Sequence, residues 1–123
     1  MKLWVDDLQA APDGWHWVWT VPEAQAILAN DAVTHLSLDH DLGGACPDKC
    51  WLDLGMRLCS SDCRCACHQT GYTLVCWMEE RGIWPETFCG VHSANPAGAE
   101  RMRAVIERRG FDRSGRRSAQ PQS

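Results

Sequence analysis

Three short apolar runs in this chain each break off into residues that bind cations or move protons. The fullest is Leu36-Ser37-Leu38-Asp39-His40-Asp41-Leu42-Gly43-Gly44, where an apolar stretch ends in Asp-His-Asp and two glycines follow. Leu3-Trp4-Val5 runs into Asp6-Asp7 in the same way, and Val91 runs into His92-Ser93 with Asn95-Pro96 behind it. A buried strand whose carboxyl end opens into a polar site has this pattern. In open α/β sheets the ligand crevice lies just outside the carboxyl ends of neighbouring strands. The three runs together therefore predict one acidic site.

Clustered carboxylates repel one another and are costly to bury uncompensated. A hard cation relieves both problems, and Mg²⁺ prefers oxygen ligands while keeping waters that a phosphate can displace. Asp6, Asp7 and Asp39 are the expected Mg²⁺ ligands, with Asp41 a fourth candidate. Asp39 and Asp41 share a face only if their strand continues that far. His40 and His92 are the candidate catalytic proton carriers, since an imidazole exchanges protons near neutral pH. Ser93 is a catalytic and phosphate-positioning candidate, and Asn95 joins it in binding phosphate at the start of the last helix, where free amides attract anions. Arg101, further into that helix, reads as solvated surface. Taken singly, an Asp after a strand is a turn or cap residue and a strand His a core residue. Convergence of the three runs is what favours a site.

Six of the eight cysteines fall between positions 46 and 67, and His68 follows them. Without a leader, such density argues for metal before disulfides, and zinc takes four Cys or His ligands in a structural site. Cys46, Cys50, Cys59 and Cys63 form one set of two similarly spaced pairs, and Cys65, Cys67 or His68 can replace members of it. The alternative is a disulfide-linked surface loop. Either way the segment leaves the third strand beside the acidic site, as a lid or a protein-partner surface. Cys76 and Cys89 sit in apolar segments and are expected in the core.

The elements that must hold these residues read as follows. Strands are expected at residues 2–6, 15–19, 36–39 and 88–92. The turn Pro12-Asp13-Gly14 separates the first two, a gap short for a parallel crossover, so the second strand's direction stays open. Thr20-Val21-Pro22-Glu23 is a capping box opening a helix to about Asn30. A second helix follows Thr70-Gly71-Tyr72 and stops at Gly82. A third begins at Asn95-Pro96 and ends near Gly110. The fold class is α/β, a truncated three-layer sandwich with a four-stranded, mainly parallel sheet. One domain spans 1–111, interrupted by the Cys-rich insertion at 45–69, and 112–123 reads as a disordered tail.

With 123 residues, 45% hydrophobic and 23% charged, the chain has room for one core. Its net charge of −4 argues against duplex nucleic acid and leaves room for a small phosphorylated ligand or an RNA end. No apolar stretch approaches the roughly 20 residues of a membrane span. The early Asp6-Asp7 does not fit a signal peptide, so a cytoplasmic protein is expected. Most of the seven tryptophans are expected to serve as core.

These residues together resemble a receiver domain with the flavodoxin-like fold. The closer likeness is to the cyclic-phosphate processing receiver domain, carried by Val5-Asp6-Asp7-Leu8, Ala11-Pro12-Asp13-Gly14-Trp15, Leu36 to Gly43, Thr70-Gly71-Tyr72 and Val91 to Pro96. The resemblance implies work on cyclic-phosphate ends, in RNA repair among other settings. A phospho-accepting receiver also needs a fifth strand followed by a lysine. Here no such strand is visible, and Lys2 and Lys49 are the only lysines. The expected function is metal-dependent processing of a phosphoester, a cyclic phosphate such as a 2′,3′-cyclic RNA end, by a phosphoesterase. The alternatives are a non-catalytic degenerate receiver and a zinc-stabilised interaction module.

Overall fold

The computed structural model describes residues 1–42 and 69–118. Four strands, β1 (Lys2–Val5), β2 (His16–Val18), β3 (His35–Leu38) and β4 (Phe88–Val91), form one sheet in the order β2-β1-β3-β4. Every pairing is parallel, β2 included. Residues 6–15 make that crossover without a helix. They are pinned by the Trp4 indole, which donates to the Gln9 carbonyl at 2.9 Å, and by a turn in which Trp15 N–H donates to Pro12 at 3.1 Å. Gly14 supplies the positive φ (87°) that this turn requires.

Three helices follow the strands: α1 (Val21–Asn30), α2 (Gly71–Arg81) and α3 (Pro96–Arg108). Each starts on a side-chain cap. Thr20 Oγ1 accepts from the Glu23 amide and donates to Glu23 Oε1, Thr70 and Thr73 cap reciprocally, and Asn95 Oδ1 accepts from Gly98 N–H. α2 neighbours α1 on one side and α3 on the other. Their buried residues join Leu3, Val5, Leu36, Leu38 and Cys89 in one cluster. Strand alternation puts those residues on a single face of the sheet. Trp4, Ser37 and Gly90, level with one another in adjacent strands, belong to the other face.

Among the described residues that second face carries no helix, so the expected third layer is not found there. The β1–β2 crossover is a loop, and the chain after α3 adds no helix. Aromatic rings cover this face instead. Trp15 meets Trp4 and His35 edge-on, and His35 stacks on Phe88. Only Trp4 of the six described tryptophans is buried, whereas Trp17 and Trp19 are 36% and 55% exposed. Trp77 and Trp84 pack half-buried against the core, so three of the six described tryptophans serve it and the expectation is met only in part. Cys76 is also exposed, because the buried stripe of α2, Gly71, Leu74, Val75 and Met78, leaves position 76 on the far side. Cys89 is buried as expected.

Residues 112–118 are not the solvated tail that composition suggested. After Phe111, itself buried, the chain turns back beside β4. Gly115 C=O accepts from Cys89 N–H at 2.7 Å, Arg117 N–H donates to Thr87, and Arg116 bridges Phe88 in antiparallel sense. Asp112 Oδ1 stabilises the turn by accepting from the Ser114 and Arg116 amides. Polar composition misled here because backbone bonds along β4, with side chain–backbone bonds from Asp112, and not apolar burial, hold this return. Among the described residues no helix is long and apolar enough to cross a membrane.

Gly115 tests this return. Its φ is 98°, and a Cβ there would lie 2.8 Å from the Phe88 ring and 2.9 Å from Gly90 Cα. Gly115→Ala is expected to cost about 1–3 kcal/mol, the usual penalty of overpacking, read as a lower urea midpoint. A midpoint within about 0.5 kcal/mol of wild type, as at a free surface position, would return these residues to solvent.

Candidate active site

The sheet ladder itself delivers the site residues. Each strand's last carbonyl takes the amide just beyond the end of its neighbour: Asp6 N–H donates to Val18, Asp39 N–H to Val5, and His92 N–H to Leu38, at 2.9–3.1 Å. Asp6, Asp39 and His92 are thereby set side by side across three strands. β3 ends at Leu38, so Asp39 and Asp41 do not continue one strand face.

Asp6, Asp7 and Asp39 each offer one carboxylate oxygen, and these oxygens lie within 4.8 Å of one another. They line a cleft of about 550 Å³ together with Leu8, Gln9, Asp41, His92 and Ala94. Among these lining residues there is no lysine or arginine. Asp6 is 3% exposed and fully engaged. Its Oδ1 accepts from the Leu8 and Gln9 amides at 2.8 and 2.9 Å, and its Oδ2 lies 2.9 Å from His92 Nε2. Asp7 is the opposite case, since its buried Oδ1 has no partner. Burial pushes the Asp7 carboxyl above its ordinary value, a bond from its own amide opposes this, and the charges of Asp6, Asp39 and Asp41 add to the rise. Three carboxylates that each bring one oxygen to the same place, one of them with an orphaned oxygen, fit a hard divalent cation, and the all-oxygen set suits Mg²⁺.

His92 is held on three sides. Nε2 meets Asp6, Nδ1 lies 2.7 Å from Ser37 Oγ, and the ring stacks on Trp4 with centroids 3.8 Å apart and planes 6° from parallel. With Asp6 ionised, Nε2 carries the proton it donates, so Nδ1 of a neutral ring accepts from the Ser37 hydroxyl. The set has the residue types of a catalytic triad, but Ser37 is 6% exposed within β3 and faces no substrate space. It orients the imidazole. Ser37 was not among the site residues expected from sequence, although a lone hydroxyl between Leu36 and Leu38 in a central strand was the available signal.

The other candidates lie apart from this centre. His40 is buried, and its Nδ1 pairs with Asp41 Oδ1 at 2.8 Å. Gly98, in the first turn of α3, makes room for its ring, which a Cβ there would overlap. His40 does not line the cleft. Asp41 does, though it is outside the oxygen triad, and its bonds to His40 and then Asn95 hold its carboxyl below the ordinary value. Ser93 Oγ accepts from Asn95 N–H at 3.0 Å, and Asn95 caps α3 while its Nδ2 donates to Asp41 at 3.3 Å. Both serve the turn into α3 and neither lines the cleft. Arg101 lies over Tyr72. Lys2 is at the start of β1, the end away from the cleft, over Trp15. The zinc candidates Cys46, Cys50, Cys59, Cys63, Cys65, Cys67 and His68 fall outside the described residues.

The strain on Asp7 has a measurable consequence. A carboxyl whose folded-state value is raised contributes stability below its unfolded-state value and loses it as pH rises through the folded-state value. In the ion-free protein Asp7→Asn is therefore expected to raise the urea midpoint near neutral pH. The gap over wild type should shrink on acidification toward the carboxylate range. A variant less stable than wild type at neutral pH would show that Asp7 is already compensated.

Residues 1–108 match the family model described as the cyclic-phosphate processing receiver domain. No curated protein and no solved structure matches the chain. The family match covers the Asp6-Asp7, Asp39 and His92 strand ends alike, and with the parallel sheet it supports the receiver-like fold and a role in cyclic-phosphate processing. The chain belongs to the cyclic-phosphate processing receiver domain family.

Proposed function

We propose that the chain is a metal-dependent phosphoesterase that opens a cyclic phosphodiester, with a 2′,3′-cyclic phosphate at an RNA end as the candidate substrate. One observation carries this reading: the Asp7 oxygen without a partner sits among three convergent carboxylates in a cleft whose wall holds an oriented imidazole. Asp6, Asp7 and Asp39 would hold Mg²⁺. A bound ion of this kind supplies polarisation of a phosphoryl oxygen and neutralises charge that builds on it.

The chain's own groups account for the rest. In ring opening, a water oxygen forms the new bond to phosphorus while one ester oxygen leaves, and a proton must pass from the water to the departing oxygen. We assign that transfer to His92, whose Nδ1 stays on Ser37 while Nε2 would leave Asp6, give its proton to the departing oxygen and regain one from the water. Trp4 and Ser37 fix the ring's plane and rotation, so the imidazole does not lose time or entropy finding its orientation. His40, buried under Gly98 and tied to Asp41, supports the loop that carries Asp39.

The test is ³¹P magnetic resonance of a cyclic phosphate incubated with Mg²⁺ and either wild type or Asp39→Asn. Ring opening by wild type, reduced at least 100-fold in the variant, is expected. His92→Gln should lose about 10²- to 10⁴-fold, the usual contribution of general acid–base catalysis. Ser37→Ala should lose less, near tenfold, because it removes only the partner of Nδ1. An unchanged ³¹P spectrum with wild type, despite stabilisation by Mg²⁺, would favour a receiver-like module that binds without chemistry.

A further inference from the structure

Trp17 and Trp19 are large apolar side chains left in solvent, and both are tied to the acidic cleft. The Trp17 indole N–H donates to the Asp6 carbonyl at 2.7 Å. Trp19 directly follows Val18, whose carbonyl accepts the Asp6 amide at 3.1 Å. The two rings lie 5.6 Å apart and are tilted by 56°. Leu8, 86% exposed, lines the cleft and is fixed through its amide to Asp6 Oδ1. Asp6 thus lies between an exposed aromatic strip, Trp17 and Trp19, and the Leu8-lined cleft where phosphate is proposed to bind.

We infer that this strip, with Trp19 as its main contact, is a nucleobase-stacking subsite that selects cyclic phosphates carried on a nucleoside. The inference rests on the phosphoester reading above and adds the substrate's base. An anionic ligand entering a cleft of carboxylates with no lysine or arginine in its lining gains little Coulombic attraction from the chain itself. Affinity beyond what a bound cation would supply must then come from a part of the substrate remote from phosphorus. A flat, uncharged base stacked on an indole supplies it independently of charge and with little dependence on sequence. The Trp17 hydrogen bond holds one ring in place, so little freedom is lost on binding. The size of the strip also fits a base better than a protein. Two tryptophans offer at most a few hundred Å², well short of the roughly 800 Å² per partner of a standard interface.

The experiment compares adenosine 2′,3′-cyclic phosphate with the base-free 1,2-cyclic phosphate of glycerol, using wild type, Trp19→Ala and Trp19→Phe. Trp19→Ala is expected to raise KM for the adenosine compound about tenfold, in line with the loss of one base stack, without a matching rise for the glycerol compound. Trp19→Phe should restore most of the difference. Equal effects on the two substrates, or none on either, overturn the subsite and leave the phosphoester reading standing. If wild type opens neither ring, calorimetry with Mg²⁺ and adenosine 2′-phosphate or glycerol phosphate takes over. A base-selective loss of affinity in Trp19→Ala then keeps the subsite and removes the catalysis, whereas no binding, or loss indifferent to the base, overturns both. Sedimentation of the same variants covers the remaining occupant: an altered oligomeric state in Trp19→Ala would mark the strip as a contact between copies and overturn the subsite.

Discussion

A carboxylate withdrawn from water at the end of β1 governs this structure. Asp6 is buried, and a buried charge is tolerable only when it is paired and hydrogen-bonded. Its side chain takes two amides of the following loop and the His92 ring, its carbonyl takes the Trp17 indole, and its own amide reaches β2. Satisfying that one group fixes the first crossover, the edge strand and the imidazole together. The crossover needs no helix because Asp6 and Trp4 organise the loop from within.

The same end of the sheet shows two treatments of negative charge. Asp6 is compensated by protein donors and serves as a fixed anchor. Asp7, one residue on, is left with an uncompensated oxygen beside Asp39. Local strain of this kind is typical of functional sites and is supported by the surrounding structure. Here the support is the parallel ladder, which stops at Val5, Leu38 and Val91 in register and releases three polar residues at one level.

Much of this was legible in the sequence because the determinants are local. Apolar runs ending in Asp or His gave the strands and their active end. Thr20, Thr70 and Asn95 marked the helix starts, and Gly82 the stop of α2. What stayed hidden depends on contacts distant in sequence. Nothing near His40 or His92 distinguishes the imidazole buried under Gly98 from the one facing the cleft, because both follow strands and both have polar neighbours. The role of Ser37 depends on His92, 55 positions away. The direction of β2 depends on side-chain bonds that replace a helix, and the return at 112–118 is held by backbone partners in β4. The exposure of Trp17 and Trp19 escaped for a related reason: alternation in a strand assigns a face but does not say whether anything lies on it.

The return of residues 112–118 along β4 also bears on how the molecule meets copies of itself. It occupies that edge of the sheet in antiparallel sense, while β2, the opposite edge, has no further strand beside it among the described residues. A sheet open on both sides can template an endless stack, the geometry of fibres. With the β4 side occupied by this return, β2 is the edge left for strand addition among the described residues.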